Sequence, residues 1–297
     1  MKNTFSRGFC GFRCLTTTIL LRKTIHNSPK KGRLSQTKAM VIIMAVILEA
    51  HRGLSAYYPE NTLAAFRAAH ERGYGMIELD TKFTADNVCV CLHNKTVNKT
   101  ARRPDGTALE EETPIAALTF AEARSLDYGL WKGEQFRGEP IPTLDEALAF
   151  SAEAGIPLKF DNVLQRADDT QLEIFFSTVE RMDALSHIGF TANRIDFIEK
   201  VMARFPAAQI HYDGDISENA LAAVAQIVPA EQLTVWLRYH NNRTAWCKTP
   251  ACDAALVAMT RRCARRIGLW LLDKPEELVD AEAWGVDLVE TEGELRP

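Results

Sequence analysis

From Val46 onward, short apolar runs rich in β-branched residues alternate with stretches whose apolar positions recur every three or four residues. The first pattern reads as strand and the second as amphipathic helix, and their alternation predicts βα units around a parallel sheet. Strands are predicted at 46–50, 75–81, 88–92, 156–161, 186–190, 208–212, 233–238, 267–272 and 286–290. Helices are predicted at 61–72, 143–154, 169–183, 194–204, 217–227, 252–266 and 275–284. Thr84-Ala85-Asp86-Asn87 has the chemistry of a hairpin turn, so 75–81 and 88–92 are expected to form an antiparallel extension of one barrel strand. Eight βα-type strands then remain, on a stretch close to the ~250 residues of a typical (β/α)8 barrel. The expected fold is α/β, a single (β/α)8 TIM barrel over 46–297. Residues 95–142 show helical periodicity only at 119–126 and are expected as a small insertion at the mouth after the second strand.

Charge adds a boundary that the apolar pattern lacks. Of the 35 basic residues, nine fall in residues 1–45, which hold no Asp or Glu. The body is left with 26 basic against 39 acidic residues. A body that acidic offers no broad patch for nucleic acid, so phosphate binding there calls for local cations or a metal. Residues 1–45 are expected to be a disordered basic leader of transit-peptide composition, or the product of a mis-assigned start with translation beginning at Met40 or Met44. No run approaches the roughly 20 apolar residues of a membrane span, so no stable membrane anchor is expected. The seven cysteines form no CxxC pair, which fits a reducing compartment and a cytoplasmic location. No repeat or low-complexity linker divides the body, which reads as one domain.

Candidate chemistry gathers between Leu48 and Asn94. His51 closes the first strand and His93 the hairpin, at the strand ends where a barrel of parallel strands does its chemistry. Glu78 and Asp80, two apart on a strand, point to one face. Two carboxylates so close repel unless a cation sits between them, and all-oxygen ligation suits Mg2+ or Ca2+. Two imidazoles titrating near neutrality can divide the roles of proton acceptor and proton donor. Arg52 supplies a planar donor fork suited to phosphate oxygens.

His51-Arg52-Gly53, Pro59-Glu60-Asn61-Thr62 with Ala65-Phe66, Glu78-x-Asp80-x-x-x-Thr84-x-Asp86 and then His93 resemble the glycerophosphodiester phosphodiesterase family. The likeness is strongest over 46–100. It continues weakly to Trp270, Gly285-Val286-Asp287-Leu288-Val289 and Glu290-Thr291-Glu292-Gly293. It implies a TIM barrel that hydrolyses glycerol phosphodiesters with a divalent cation. His51 and His93 would be the acid/base pair, Arg52 the phosphate ligand, and Glu78 and Asp80 metal ligands. Glu60 and Asn61 would organise the first loop and helix start, with Asn61 as N-cap.

The chain departs from that pattern where family members carry Glu-x-Lys on the next barrel strand. Here Asp161 takes the Glu place as third metal ligand and Val163 the Lys place. Lys159 shares a face with Asp161 one layer deeper. It is expected to pair with Glu78 or Asp80, or to neutralise an acidic interior, with at most a weak substrate contact. Asn94 replaces the family's Asp after His93. Among later residues, His211 is a candidate site wall beside a turn-forming Asp213-Gly214. Trp246 is a candidate substrate contact and Trp236 a core residue, while Trp270 either caps the pocket or packs. Arg261 to Arg266 is expected as a basic helix face. The expected function is metal-dependent hydrolysis of glycerophosphodiesters to glycerol 3-phosphate and an alcohol by two histidines, acting on a small-molecule phosphodiester. The alternative is a non-catalytic or altered-specificity barrel that binds phosphodiesters or lipid headgroups. A phospholipase acting on membranes would need an apolar lip, for which the insertion offers only Leu126, Tyr128, Leu130 and Trp131. Oligomeric state is left open.

Overall fold

A computed structural model describes residues 46–240 and 251–297. The expectations for residues 1–45 and for Trp246 lie outside them. Eight parallel strands close into a barrel: β1 Ile47–Ala50, β2 Met76–Leu79, β5 Leu158–Phe160, β6 Ile188–Ala192, β7 Gln209–Tyr212, β8 Leu233–Arg238, β9 Arg266–Trp270 and β10 Leu288–Thr291. β3 Thr81–Phe83 and β4 Cys89–Cys91 form the expected antiparallel hairpin above β2. β2 pairs directly with β5, so the chain between them leaves the barrel and returns.

Helices α1 Leu63–Glu71, α3 Leu144–Ala154, α4 Asp169–Arg181, α5 Ile195–Arg204, α6 Glu218–Ile227, α7 Ala254–Thr260 and α8 Pro275–Trp284 follow the barrel strands, and the short α2 Phe120–Arg124 lies in the insertion. Their starts are set by local chemistry. Thr143 with Glu146 and Asp168 with Gln171 form reciprocal capping boxes that satisfy otherwise orphaned N–H groups. Gly155 and Gly285 end α3 and α8 in the left-handed conformation.

Two expectations are corrected. Asn61 is not the N-cap of α1; Thr62 is, its hydroxyl accepting from the Ala65 N–H at 3.2 Å. The basic run is not a helix face, because α7 stops at Thr260 and Arg266 already begins β9. Arg261 instead pairs with Asp287 at 2.6 Å and donates to the Gly285 carbonyl, fastening the turn to the start of β10.

The main core lies between strands and helices, where Phe160, Phe175, Phe176, Phe190 and Phe205 meet largely edge to face. The insertion has its own small core, including Val90, Val97, Ile115, Tyr128 and Ile141. The buried Asp127 carboxylate accepts from the Gly129, Leu130 and Gly138 N–H groups and holds that loop in shape. Of the four residues offered as a lip, Tyr128 is buried and Leu126, Leu130 and Trp131 are half-buried. They do not form an exposed apolar edge. Among the described residues no helix is long and apolar enough to cross a membrane.

Inside the barrel, large side chains face missing ones. A Cβ on Gly189 would lie 2.5 Å from the His211 ring, and one on Gly268 would lie 2.4 Å from Trp236. These two glycines therefore make room for the bulk contributed by β7 and β8.

Candidate active site

The C-terminal ends of the barrel strands open into a cavity of about 1080 Å3 that contains His51, Arg52, Glu78, Asp80, His93 and Asp161 in its lining. The register explains the gathering. Glu78 on β2 and Lys159 on β5 are Cα partners, as are Glu49 on β1 and Glu290 on β10, so each pair faces the interior at one level.

Three carboxylates meet at one point. Glu78, Asp80 and Asp161 each offer an oxygen, and the three oxygens lie within 4.8 Å of one another. Each carboxylate also accepts a hydrogen bond from the protein. Glu78 Oε2 accepts from the Arg52 N–H at 2.9 Å, Asp80 Oδ2 from Asn61 Nδ2 at 2.9 Å, and Asp161 Oδ2 from the Val163 N–H at 3.0 Å. Burial, with repulsion from Asp80, Glu290 and Asp161, pushes the Glu78 carboxyl well above the usual range. Burial and Asp80 likewise raise Asp161. Three clustered, mutually repelling carboxylate oxygens, two of them from buried residues and one from the half-buried Asp161, fit a hard divalent cation, which is the donor set Mg2+ or Ca2+ takes. Glu78 belongs to a second such group, with His51 and Glu290.

The backbone bends sharply to build this corner. Arg52 and Asn61 both sit at left-handed φ, +58° and +59°. The turn at Arg52 aims its N–H at Glu78, Nη1 donates to Glu60 at 3.2 Å, and Nε lies 3.2 Å from Asp80 Oδ2 as a charge contact without a hydrogen bond. Glu60 is held in turn by Lys99 at 2.8 Å. Asn61 grips Asp80 from both ends, donating to its carboxylate and accepting from its N–H at 3.0 Å. Asn61 therefore orients an acidic residue of the site rather than starting a helix.

The histidines have different partners. His51 Nδ1 lies 3.7 Å from Glu292 Oε1. Burial pulls its pKa down, but Glu292 and Glu290 outweigh that pull and raise it. His93 Nδ1 lies 2.7 Å from Asn94 Oδ1. An amide carbonyl can only accept, so a bond to Asn94 Oδ1 uses His93 Nδ1 as the donor. Asn94 thus offers His93 an orienting contact that carries no charge.

Lys159 corrects the expected pairing. Its ammonium contacts neither Glu78 nor Asp80 but lies 2.7 Å from Glu49 and 3.6 Å from Glu290, 3.7 Å above the Trp236 ring centroid. Burial opposes its charge, yet Glu290, Glu49 and Glu78 raise its pKa above the ordinary lysine range. His211 is not a site wall. It is buried, accepts from Trp236 Nε1 at 2.9 Å, and is pushed well below its usual pKa by burial and by Lys159. Trp236 and Trp270 both line the cavity. The neighbour of His211 that does reach the cavity is Asp213, whose carboxyl is raised to about 7 by burial and Asp161.

Residues passed over in the sequence share simple signals. Lys82 extends the two-residue spacing of Glu78 and Asp80, and Glu49 and Glu292 stand two before His51 and two after Glu290. Burial and Arg166 pull the Lys82 ammonium below the usual lysine range, against Asp80 and Asp161.

Known proteins share both the sequence pattern and the fold. A relative from Bacillus subtilis (strain 168), named putative glycerophosphodiester phosphodiesterase YhdW, is 41% identical over 99 residues, 33% of this chain and 37% of its own length. The match thus spans well under half of that relative. A putative glycerophosphoryl diester phosphodiesterase from Silicibacter pomeroyi superposes with a TM-score of 0.69 at 22% identity, covering 84% of this chain and 90% of the other. An Oleispira antarctica phosphodiesterase, solved with the product sn-glycerol-3-phosphate, superposes with a TM-score of 0.65 at 20% identity over 84% and 94% of the two chains. At such identities the superpositions establish the shared fold. Residues 51–292 match the model of the Glycerophosphoryl diester phosphodiesterase family, and with most of its length inside that match the chain belongs to this family.

Proposed function

We propose that the protein hydrolyses glycerophosphodiesters to glycerol 3-phosphate and an alcohol. The observation that carries this reading is the convergence of two histidines, an arginine and three clustered carboxylates at one barrel mouth. Glu78, Asp80 and Asp161 would hold a divalent cation, which when bound polarises phosphoryl oxygens and offsets developing negative charge. Arg52, with Nη1 bonded to Glu60 and its Nε paired by charge with Asp80, presents its guanidinium edge to the phosphate in a fixed orientation. His93, holding its proton on Nδ1 against Asn94, accepts a proton at Nε2 from the attacking oxygen, either water or the substrate's adjacent hydroxyl. His51, whose protonated form is favoured by Glu292, delivers a proton to the leaving alcohol.

The test uses the full chain with glycerophosphocholine and glycerophosphoethanolamine, following glycerol 3-phosphate release with Mg2+, with Ca2+ and with chelator. Ion-dependent release is expected, and it should be lost in both His51→Ala and His93→Ala while cation-induced thermal stabilisation persists. Unchanged turnover in both variants would refute the two-histidine chemistry. Ligand-induced stabilisation with no turnover of either diester would favour a binding barrel instead.

A further inference from the structure

We propose that Lys82 is a second phosphate ligand of the site beside Arg52; the proposal rests on the phosphodiesterase reading above. It begins with the cations around the cavity, which are Arg52, Lys82, Lys95, Lys159 and Arg166. Lys159 is buried between Glu49 and Glu290. Arg52 is braced by Asp80 and Glu60. Lys95 and Arg166 are exposed, where water already solvates their charge.

Lys82 differs from all four. It is half-buried, and it makes no ion pair among the described residues. Its Nζ has only the Thr81 and Leu92 carbonyls within reach, both at 3.4 Å, the weak end of the hydrogen-bond range. Taking an ammonium partly out of water without a counter-charge is costly unless an anion arrives to compensate.

Position supplies the anion. Glu78, Asp80 and Lys82 follow one another at every second residue as β2 runs into β3, so Lys82 stands one step nearer the mouth than the carboxylates. Val163, which lines the same cavity, brings no charge. A phosphodiester has two non-bridging oxygens and one negative charge. With one oxygen turned towards the carboxylate cluster and its cation, the other needs a donor, and Lys82 is the half-buried cavity cation that has no ion pair among the described residues. Its three donors on a flexible stem suit an oxygen whose direction changes as the phosphorus is attacked.

A merely structural role, in which Lys82 softens repulsion between Asp80 and Asp161, predicts different behaviour. The test compares wild type, K82M and K82R, with K82Q as a second neutral variant should K82M fold poorly. Glycerophosphocholine kinetics are measured together with the thermal shifts given by Mg2+ alone and by glycerol 3-phosphate added to the Mg2+ protein. As a phosphate ligand, Lys82→Met should lower kcat/KM about 10- to 100-fold, as expected for losing one charge-assisted hydrogen bond. It should also remove most of the glycerol 3-phosphate shift and leave the Mg2+ shift intact, and Lys82→Arg should recover much of both losses. An unchanged glycerol 3-phosphate shift in K82M, or a change confined to the Mg2+ shift, overturns the proposal. So does a wild-type protein that glycerol 3-phosphate does not stabilise. A wild type stabilised by glycerol 3-phosphate in a Lys82-dependent way but inactive on the diesters would sink the hydrolytic reading and leave the phosphate contact standing.

Discussion

The Lys159 cluster makes the sharpest energetic prediction. Lys159→Met removes the ammonium held between Glu49, which is fully buried, and Glu290, which is 8% exposed. Methionine keeps much of the apolar stem over Trp236, so packing changes little and charge changes most. A buried carboxylate left without its partner costs about 3–5 kcal/mol. For a body of this size each kcal/mol moves the melting temperature by roughly 2–4 °C, so the variant should melt about 6–20 °C below wild type. Glu49 already leans towards its neutral form, raised by burial and Glu290 against the pull of Lys159. Protonation will therefore soften the loss, and the low end of the range is expected near neutral pH.

The double variant Lys159→Met, Glu49→Leu separates a missing partner from a missing contact. Replacing a buried ion pair by apolar groups of similar volume is often close to neutral, so the double should be more stable than Lys159→Met alone. Urea unfolding followed by far-UV circular dichroism, on all four members of the cycle, gives the coupling. The reasoning fails if Lys159→Met lies within about 1 kcal/mol of wild type, or if the double loses the sum of the two single losses. A variant of unchanged stability but raised KM would show that Lys159 serves the substrate instead.

Three further outcomes follow from the site. Asn61→Ala removes both bonds to Asp80 and puts Ala at φ +59°, so Mg2+ affinity should fall about 10- to 100-fold with some loss of stability; Asn61→Gly, which relieves the backbone, should keep the affinity loss, and calorimetric Mg2+ titration checks this. In chelator, stability should fall as pH rises from about 4 to 7, because Glu78, Asp161 and Asp213 have raised folded pKa values and bind more protons folded than unfolded. His51 adds to that slope above its ordinary pKa, since a raised histidine loses its contribution as pH rises; Mg2+ should flatten the profile, and an apo melting temperature that climbs over this interval would contradict the assignment. Thr62→Ala should cost about 1 kcal/mol in chemical denaturation with kcat unchanged, because the hydroxyl caps α1 without touching the cavity.

The order of strands and helices was readable because it rests on local periodicity. Leu63, Phe66 and Ala69 repeat with the helical turn, and the strand runs are mostly apolar, as parallel strands covered on both faces are, with charged exceptions of which Glu49, Glu78, Lys159 and Glu290 face the barrel interior. The error at α7 is of the same local kind: the run 252–266 carries no glycine or proline to mark its end, and the stop comes from Arg261 reaching Asp287, a contact across 26 residues. Site residues divided along a similar line. His51, Arg52, Glu78, Asp80 and His93 lie within one stretch, where spacing alone places them at strand ends. The partners of Lys159 were not legible, since Glu49 precedes it by 110 positions and Glu290 follows it by 131, and only barrel closure brings both strands to its level. What spacing cannot convey is which oxygen of a carboxylate is already taken. Arg52 N–H, Asn61 and the Val163 N–H each bind one oxygen of Glu78, Asp80 and Asp161, and two of those donors sit at or beside left-handed turns that the motif residues Arg52 and Asn61 create. The HRG and PENT segments thus act on the acidic cluster through backbone shape and hydrogen bonds, while the three carboxylates converge within 4.8 Å. Reading those segments as substrate contacts alone would miss half of what they do, and that is why Asn61→Ala should be felt first in cation affinity.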